Sequence, residues 1–376
     1  MPAADVPDRF AGPHVPASSI DFSLPAGHGP VALAVSGGGD SMALLTLASE
    51  APAAGRGRIL VLTVDHGLRE EARAEAEAVA SHCAALGIAH RVLRWTGEKP
   101  ANGLMAAARQ ARYSLLAEAA EQDGCGMVLT GHTLDDQIET LAMRSSRGGG
   151  PGMAGIAPAT LHAGRTWFAR PLLGLRRADL RALLRDRGVA WAEDPSNRDE
   201  RFERPRWRAT LATETDSTIN EMLARARMEA QRRHRRAAAA AAVIADVRVF
   251  DPRGWPEGVA LIAGGGVAPE IVAEAAVAAS RMLGMREHGP GPDTLAAVAA
   301  LLAGPGGKAF TAGGAVFRRS GGRLVISRDP RGPERQADLP RLIPGFDYPA
   351  FAALAGRLGI GIAPEAGFAM ARPRTV

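Results

Sequence analysis

The sequence predicts an α/β protein, a doubly wound parallel sheet followed by a helical linker and a small α+β domain. Three observations carry this reading. Short, continuous Val/Leu-rich runs alternate with helix-patterned segments from residue 30 to about 145, and repeated strand–helix units imply a parallel sheet with right-handed crossovers. One unbroken Ala- and Arg-rich pattern over residues 216–247 reads as a single long helix. Beyond it, helix patterns at 269–284 and 293–303 and strand-like runs at 307–311, 315–319 and 323–328 read as a small mixed domain. The expected partition is a loose lead-in over 1–29, the sheet domain over 30–215, the linker over 216–247, the small domain over 248–330, and a tail over 331–376 with one helix-like piece near 349–358.

The composition sets outer limits. A chain of 376 residues, 46% hydrophobic and 23% charged, has the balance of a globular protein with a sizeable core. No apolar run reaches the length of a membrane span, and the first 29 residues lack the basic-then-apolar pattern of a signal peptide. A cytoplasmic protein is expected. The two cysteines, Cys83 and Cys125, have neither metal nor redox spacing and read as buried thiols in a reducing compartment. The net charge of +5 rests almost wholly on arginine, the lysines being Lys99 and Lys308. An excess of Ala, Gly and Arg together also suits a coding bias, so clustering of the basic residues says more than their sum.

The chain is organised around residues 31–47. A Val/Leu-rich run reads as a strand buried on both faces. It ends in Ser36, Gly37, Gly38, Gly39, Asp40 and Ser41, and an apolar helical pattern follows. Glycines let the backbone approach a ligand and take positive φ. The helix start directs free N–H groups and a positive dipole end at the loop, which suits a phosphate. Ser36 and Ser41 add hydroxyl donors, and Asp40 suits a Mg²⁺ bridging phosphate oxygens. The loop is not the Walker type, which needs Lys after its last Gly. An ordinary glycine-rich turn is the alternative.

The elements then follow in order. Residues 58–65 read as a second buried strand ending in Asp65 and His66, and 70–86 as a helix. Residues 89–95 form a third strand, 105–121 a helix and 126–130 a fourth strand; residues 131–144 begin as a turn and become helix. In such sheets ligands sit beyond the carboxyl ends of the strands. The loop at 36–41, Asp65–His66 and Gly131–His132 all fall at those ends. Residues 148–156 are glycine-rich and read as a flexible linker or a substrate-gating loop. Residues 176–187 read as a helix.

Further polar groups carry candidate chemistry. A capped, acidic first helical turn, with Thr133 as cap, accounts for Asp135. It leaves His132, Asp136 and Glu139, at spacings of four and three, roughly on one helix face. Arg109, Arg112 and Tyr113 share another face, where an Arg pair suits phosphate or a ribose edge; solvated surface arginines are the alternative. Asp194-Pro195-Ser196-Asn197 is a turn signature. Next to it stand Arg198, Arg201, Arg204, Arg206 and Arg208. With Arg225, Arg227, Arg232, Arg233, Arg235 and Arg236 of the long helix they either track a polynucleotide backbone or form a solvated face.

These motifs, in this order, resemble the tRNA(Ile)-lysidine synthetase family of PP-loop enzymes, which split ATP between the α- and β-phosphates. The match runs through Ser36 to Ser41, Asp65-His66-Gly67-Leu68-Arg69, Ala108-Arg109 with Arg112-Tyr113, and Gly131-His132-Thr133 with Asp135-Asp136-Gln137 and Glu139-Thr140. It continues through Arg170-Pro171-Leu172-Leu173 and Trp191, Asp194, Ser196 and Asn197, and covers residues 30 to about 210 closely. The phosphate loop alone is shared with GMP synthetases, asparagine synthetases and tRNA thiolases. The sequence departs from the family pattern at Pro205, where Asn is common, and at Trp207, where an aliphatic residue is usual.

The resemblance implies a fold of the adenine-nucleotide-hydrolase type, and a ligase with ATP and Mg²⁺ as cofactors. It implies adenylation of the C2 oxygen of the wobble cytidine in a CAU-anticodon isoleucine tRNA, then attack by the side-chain amine of free L-lysine. Carried over residue by residue, Asp40, His132, Asp136 and Arg112 are catalytic, with Asp136 or His132 the proton acceptor. Residues Ser36, Gly37, Gly38, Gly39, Asp40, Ser41, Asp65 and His66 hold ATP, Asp40 holds Mg²⁺, and Asp136, if it is not the proton acceptor, is instead a second Mg²⁺ ligand. Arg109, Glu139, Asp194, Asn197, Arg204 and Arg208 meet the RNA substrate, and residues 248–330 resemble the family's tRNA-recognition domain. No membrane or protein partner is implied, a homodimer being left open. The competing readings are a PP-loop tRNA thiolase and a non-catalytic nucleotide- or RNA-binding relative.

Overall fold

The computed structural model describes residues 20–21, 30–50, 59–68, 71–96, 99–193, 201, 203–245, 248–250, 258–262, 267–284, 293–303, 309–320, 323–331, 342–358, 360–364 and 372–373. The chain divides into two compact units: residues 1–148, 166–224 and 366–376 form the first, and residues 149–165 and 225–365 the second.

The first unit is built on parallel strands. They are β1 (Val31–Ala34), β2 (Ile59–Asp65), β3 (Ala89–Arg94), β4 (Met127–Thr130) and β5 (Thr166–Ala169). They pair in the spatial order β5-β4-β1-β2-β3, every pair parallel. The order reverses direction at β1, so the crevice beyond the carboxyl ends of β1 and β4 is where such a sheet takes a ligand. Between the strands run α1 (Gly39–Ser49), α2 (Glu71–Leu86), α3 (Leu104–Gln122) and α4 (Leu134–Ser146). The helices α5 (Arg177–Asp186) and α6 (Glu203–Leu211) follow β5.

The short apolar runs are strands because both their faces are covered. Leu33 and Leu129 sit side by side in register and are almost wholly buried. Tyr113, Leu116, Ala117 and Ala120 of α3 pack over Ala32, Leu62, Val128 and Phe168 in one core cluster. Burying each large side chain contributes about 1.5–3 kcal/mol. Cys83 and Cys125 are both buried, as expected, Cys125 within this cluster. Strand β5 escapes sequence reasoning because a four-residue run buried throughout shows no alternation. Helix α6 replaces what reads in sequence as an arginine-rich stretch.

The long helix α7 (Asp216–Ala245) begins in the first unit and continues in the second. The second unit contains β6 (Arg248–Phe250), β7 (Gly258–Ile262), α8 (Pro269–Gly284), α9 (Asp293–Ala303), β8 (Phe310–Ala312), β9 (Ala315–Ser320) and β10 (Arg323–Arg328). Its sheet is antiparallel, in the order β8-β9-β10-β7-β6. The strands β6 and β7 have no counterpart in the sequence reading.

The tail, in which the sequence marks a helix-like piece near 349–358, supplies β11 (Leu342–Pro344) and α10 (Tyr348–Arg357). β11 pairs with residues 159–162 of the same unit. Asp347, just before α10, takes Arg233 of α7 in a two-pronged contact at 2.6 and 2.6 Å and Arg281 of α8 at 2.9 Å. Among the described residues no helix is long and apolar enough to cross a membrane.

Candidate active site

The phosphate loop has the conformation its composition demands. Gly37 sits at φ 86°, a region other residues rarely enter. The hydroxyl of Ser41 donates to the carbonyl of Gly38 at 2.8 Å and accepts from the backbone N–H of Ser36 at 3.2 Å, closing the loop. The chain at Trp191–Ala192 straps it from outside. The N–H of Ala192 donates to Gly37 O at 2.9 Å, and the Trp191 ring lies against Gly39.

Gly131, at the end of β4, approaches the start of α1 so closely that a Cβ there would stand 2.8 Å from the carbonyl oxygen of Asp40. The turn at 131–132 and the phosphate loop are thus one structure. At α4, Thr133 is the N-cap and forms a capping box with Asp136. The Asp136 Oδ2 accepts from Thr133 N at 2.8 Å and Thr133 Oγ1 at 3.0 Å. This corrects the expectation that capping concerns Asp135. The Asp135 carboxylate instead accepts the backbone N–H of Arg177 at 2.7 Å and faces the Arg176 guanidinium at 3.4 Å.

The centre of the site is a residue that sequence reasoning missed. Arg177, the first residue of α5, sends Nε to Asp40 Oδ2 at 3.0 Å, Nη2 to Asp136 Oδ1 at 3.4 Å and Nη1 to Glu139 Oε1 at 3.4 Å. Arg204 adds an ion pair to Asp136 at 3.7 Å, and Arg208 reaches Glu139 Oε1 at 2.9 Å. The structure therefore brings Asp40, Asp136, Glu139, Arg204 and Arg208 together. Only the arginine-rich setting hinted at Arg177, one among many.

Protonation follows from the surroundings. Burial raises the pKa of Asp40, against the opposing pull of Arg177, and the Asp136 charge adds to the rise. For Asp136, burial works against the charge, but Arg177 first, and then the Thr133 N–H and Arg204, outweigh it, and the carboxyl is held below its usual range. His132 is pushed down to about 3, by burial first and then by the Arg170 charge, so it is neutral near pH 7. Thr130 Oγ1 lies 2.9 Å from His132 Nδ1 and donates its single proton to Ala169 O at 3.2 Å. The network thus assigns the ring proton to Nδ1 and leaves Nε2 as an acceptor.

The other predicted residues fall nearby or aside. Arg109 donates to the Tyr113 hydroxyl at 3.2 Å and lies over its ring; buried Arg170, another residue without an assigned role from sequence, reaches the same hydroxyl at 3.4 Å. His66 packs edge-on against Trp95, and its Nδ1 is buried without a hydrogen-bond partner. Burial, and then the charge of Arg112, lower its pKa. Asp65 Oδ1 accepts from Gly67 N at 2.8 Å, a turn contact. Asp194 and Asn197 lie outside the described residues. The glycine-rich segment 148–156, read as linker or gating loop, belongs to the second unit from Gly149 onward and contains a short 3₁₀ turn at Gly150–Ala154.

The donor set fits Mg²⁺. Asp40 and Asp136 are hard oxygen donors with side chains 26% and 11% exposed, both already facing one cation, Arg177. Among the described residues no group of three His, Cys, Asp or Glu is disposed to hold a metal. Mg²⁺ commonly takes one or two carboxylates and fills its shell with phosphate and water.

A family model described as a PP-loop domain matches residues 15–215, more than half of the chain. Among curated relatives, a tRNA(Ile)-lysidine synthase of Mesorhizobium japonicum (strain LMG 29417 / CECT 9101 / MAFF 303099) is 54% identical, over 55% of this chain and 46% of its own length. One of Rhizobium meliloti (strain 1021) is 41% identical, over 81% of this chain and 70% of its own. One of Methylobacterium nodulans (strain LMG 21967 / CNCM I-2342 / ORS 2060) is 41% identical, over 81% of this chain and 92% of its own. The chain thus spans about half the length of the first relative and nearly all of the third.

Proposed function

The chain belongs to the tRNA(Ile)-lysidine synthase family of PP-loop proteins, and we propose that it performs the family's reaction on a CAU-anticodon isoleucine tRNA. ATP adenylates the C2 oxygen of the wobble cytidine and pyrophosphate leaves; the side-chain amine of free lysine then attacks C2 and AMP leaves. One observation supports this most: the phosphate loop and a carboxylate cluster stand side by side at the switch point of the sheet, joined by Arg177 between Asp40 and Asp136.

Each group has a task in that scheme. The loop N–H groups and the hydroxyls of Ser36 and Ser41 meet charge developing on the pyrophosphate. Asp40 and Asp136 would hold Mg²⁺, which would supply charge neutralisation for the leaving group. Lysine arrives as an ammonium with an unperturbed pKa near 10.4, so freeing its amine at pH 7 costs about 4–5 kcal/mol. Asp136, ionised, attracts the ammonium, and the neutral His132 offers the Nε2 lone pair; one of the two takes the proton. Arg109, Arg112, Arg204 and Arg208 engage phosphates or the flipped cytosine, with Asp194 and Asn197 beside them. Residues 248–330 contact the tRNA, and the cell compartment is the cytoplasm, where all three substrates meet.

The partner follows from charge. In the second unit Arg225, Arg232, Arg235 and Arg236 of α7 line a groove of about 620 Å³ together with Glu229, which pairs with Arg232; the excess of positive charge suits a phosphate backbone. The thiolase alternative is disfavoured by the cysteines. Both are buried, and burial pushes the Cys83 thiol up to about 11, far from a reactive thiolate.

The test is transfer of labelled lysine to a CAU-anticodon isoleucine tRNA transcript with ATP and Mg²⁺. Transfer by the wild type and not by Asp40→Ala is expected. AMP release without label would transfer the reading to another nucleophile. Asp136→Asn keeps the cap geometry and removes the charge, so label transfer falls about a hundredfold or more; an unchanged rate of lysine attack on preformed adenylate would remove Asp136 as base.

A further inference from the structure

We propose that Arg177 is a resident cation that holds Asp40 and Asp136 in the ligand-free protein and competes with the divalent metal for them. The inference rests on the reading of those two carboxylates as the Mg²⁺ ligands and adds a positioning residue to it.

Four features point this way. Three separate nitrogens of Arg177 address three carboxylates, on α1 and α4, at 3.0 to 3.4 Å. A flexible surface arginine does not distribute itself so; a fork held on three acceptors is geometry-specific. Arg177 is the first residue of α5, at the positive end of the helix dipole, where a cation is disfavoured. The carboxylates must outweigh that penalty, so the placement answers to them and not to helix capping. The side chain is only 16% exposed, so a buried charge without these partners would be costly. Finally, Glu139 Oε2 is buried with no hydrogen-bond partner although Glu139 already faces Arg177 and Arg208. The cluster has acceptor capacity left for an incoming cation.

The physical consequence is an exchange. Without metal, Asp40 and Asp136 would repel one another across the crevice, and Arg177 keeps both in place. When a divalent ion comes, the Nε contact to Asp40 and the Nη2 contact to Asp136 must loosen, so the apparent metal affinity is reduced by the free energy of those contacts. Arg177 can keep Glu139 while it releases the other two. The metal therefore binds well only when nucleotide phosphates complete its shell, which couples metal entry to ATP.

The experiment titrates MgCl₂ alone, without nucleotide or tRNA, into the full chain, and reads heat of binding and thermal midpoint. Arg177→Gln is expected to melt lower than wild type without metal and to be half-saturated at roughly ten- to a hundredfold lower Mg²⁺, the change for loss of two competing charge-assisted contacts. Arg177→Lys, which keeps the charge and loses the fork, falls between them. The double variant Arg177→Gln with Asp40→Asn loses the gain. A half-saturation in Arg177→Gln equal to or above that of wild type overturns the proposal, as does a gain that survives Asp40→Asn. Should Arg177→Gln not fold, Arg177→Lys decides: an affinity equal to wild type overturns it. Absence of Mg²⁺ binding in every form also overturns it, and leaves the labelled-lysine assay to judge the reaction separately.

Discussion

Gly131→Ala puts the junction of β4 and α1 to a direct test. A Cβ at residue 131 would stand 2.8 Å from the Asp40 carbonyl oxygen, 2.9 Å from its carbon and 3.0 Å from the Ser41 nitrogen. All three are backbone atoms, so no side-chain tip can swing aside. Ordinary contact begins at 3.4 Å, so the start of α1 must retreat by roughly half an ångström in a close-packed interior. Overpacking of this kind costs about 1–3 kcal/mol of stability. The functional effect is sharper, because Asp40 and Ser41 move with the helix. A misplacement of 1 Å costs on the order of a hundredfold in rate, so half of that costs about tenfold. The assay is single-turnover pyrophosphate release with the CAU-anticodon tRNA, beside thermal unfolding of the same preparation. The adenylation rate should fall about tenfold with ATP still bound. A variant with wild-type rate and midpoint would refute the claim that this close approach positions the phosphate loop.

Three other outcomes follow from the same structure. Asp347→Ala leaves Arg233 and Arg281 facing each other without their shared carboxylate; stability should fall by about 3 kcal/mol, read from denaturant midpoints, and a loss under about 1 kcal/mol would show the latch to be idle. His132 has a native pKa of about 3, below the ordinary 6.5. The unfolded chain therefore binds more protons between those values, and the contribution of His132 is whole above about pH 6.5 and lost as pH falls toward 3. His132→Gln should flatten the acid branch of the stability curve, and parallel branches for both proteins would contradict the assignment. Paired substitutions Arg232→Glu and Arg235→Glu on α7 should weaken tRNA binding and lower the slope of log affinity against log salt by about two; an unchanged slope would remove that face from the RNA contact.

What the sequence by itself determined is what is decided within a few residues. The strand, glycine loop and helix over 31–49 follow from a buried apolar run, a positive φ at Gly37 and a free helix start. The N-cap at Thr133 is equally local, since its partner Asp136 is three residues on. Even there the reading erred on which acid makes the cap, because both acids lie in one turn, and only the approach of Arg176 and Arg177 from 42 residues away engages Asp135. The tertiary structure alone decided the rest. Arg177 meets Asp40 across 137 positions of sequence and Asp136 across 41, and nothing in its neighbours distinguishes it from other arginines of the chain. The strap of Trp191 and Ala192 on the phosphate loop and the docking of Asp347 on Arg233 and Arg281 are of the same kind. The short strand β5 also waited for the fold, since a run buried throughout has no period to read. Periodicity and caps record how a segment meets its immediate neighbours. Which charge meets which across the crevice depends on the order in which the sheet stacks its strands, and that order is a property of the whole chain.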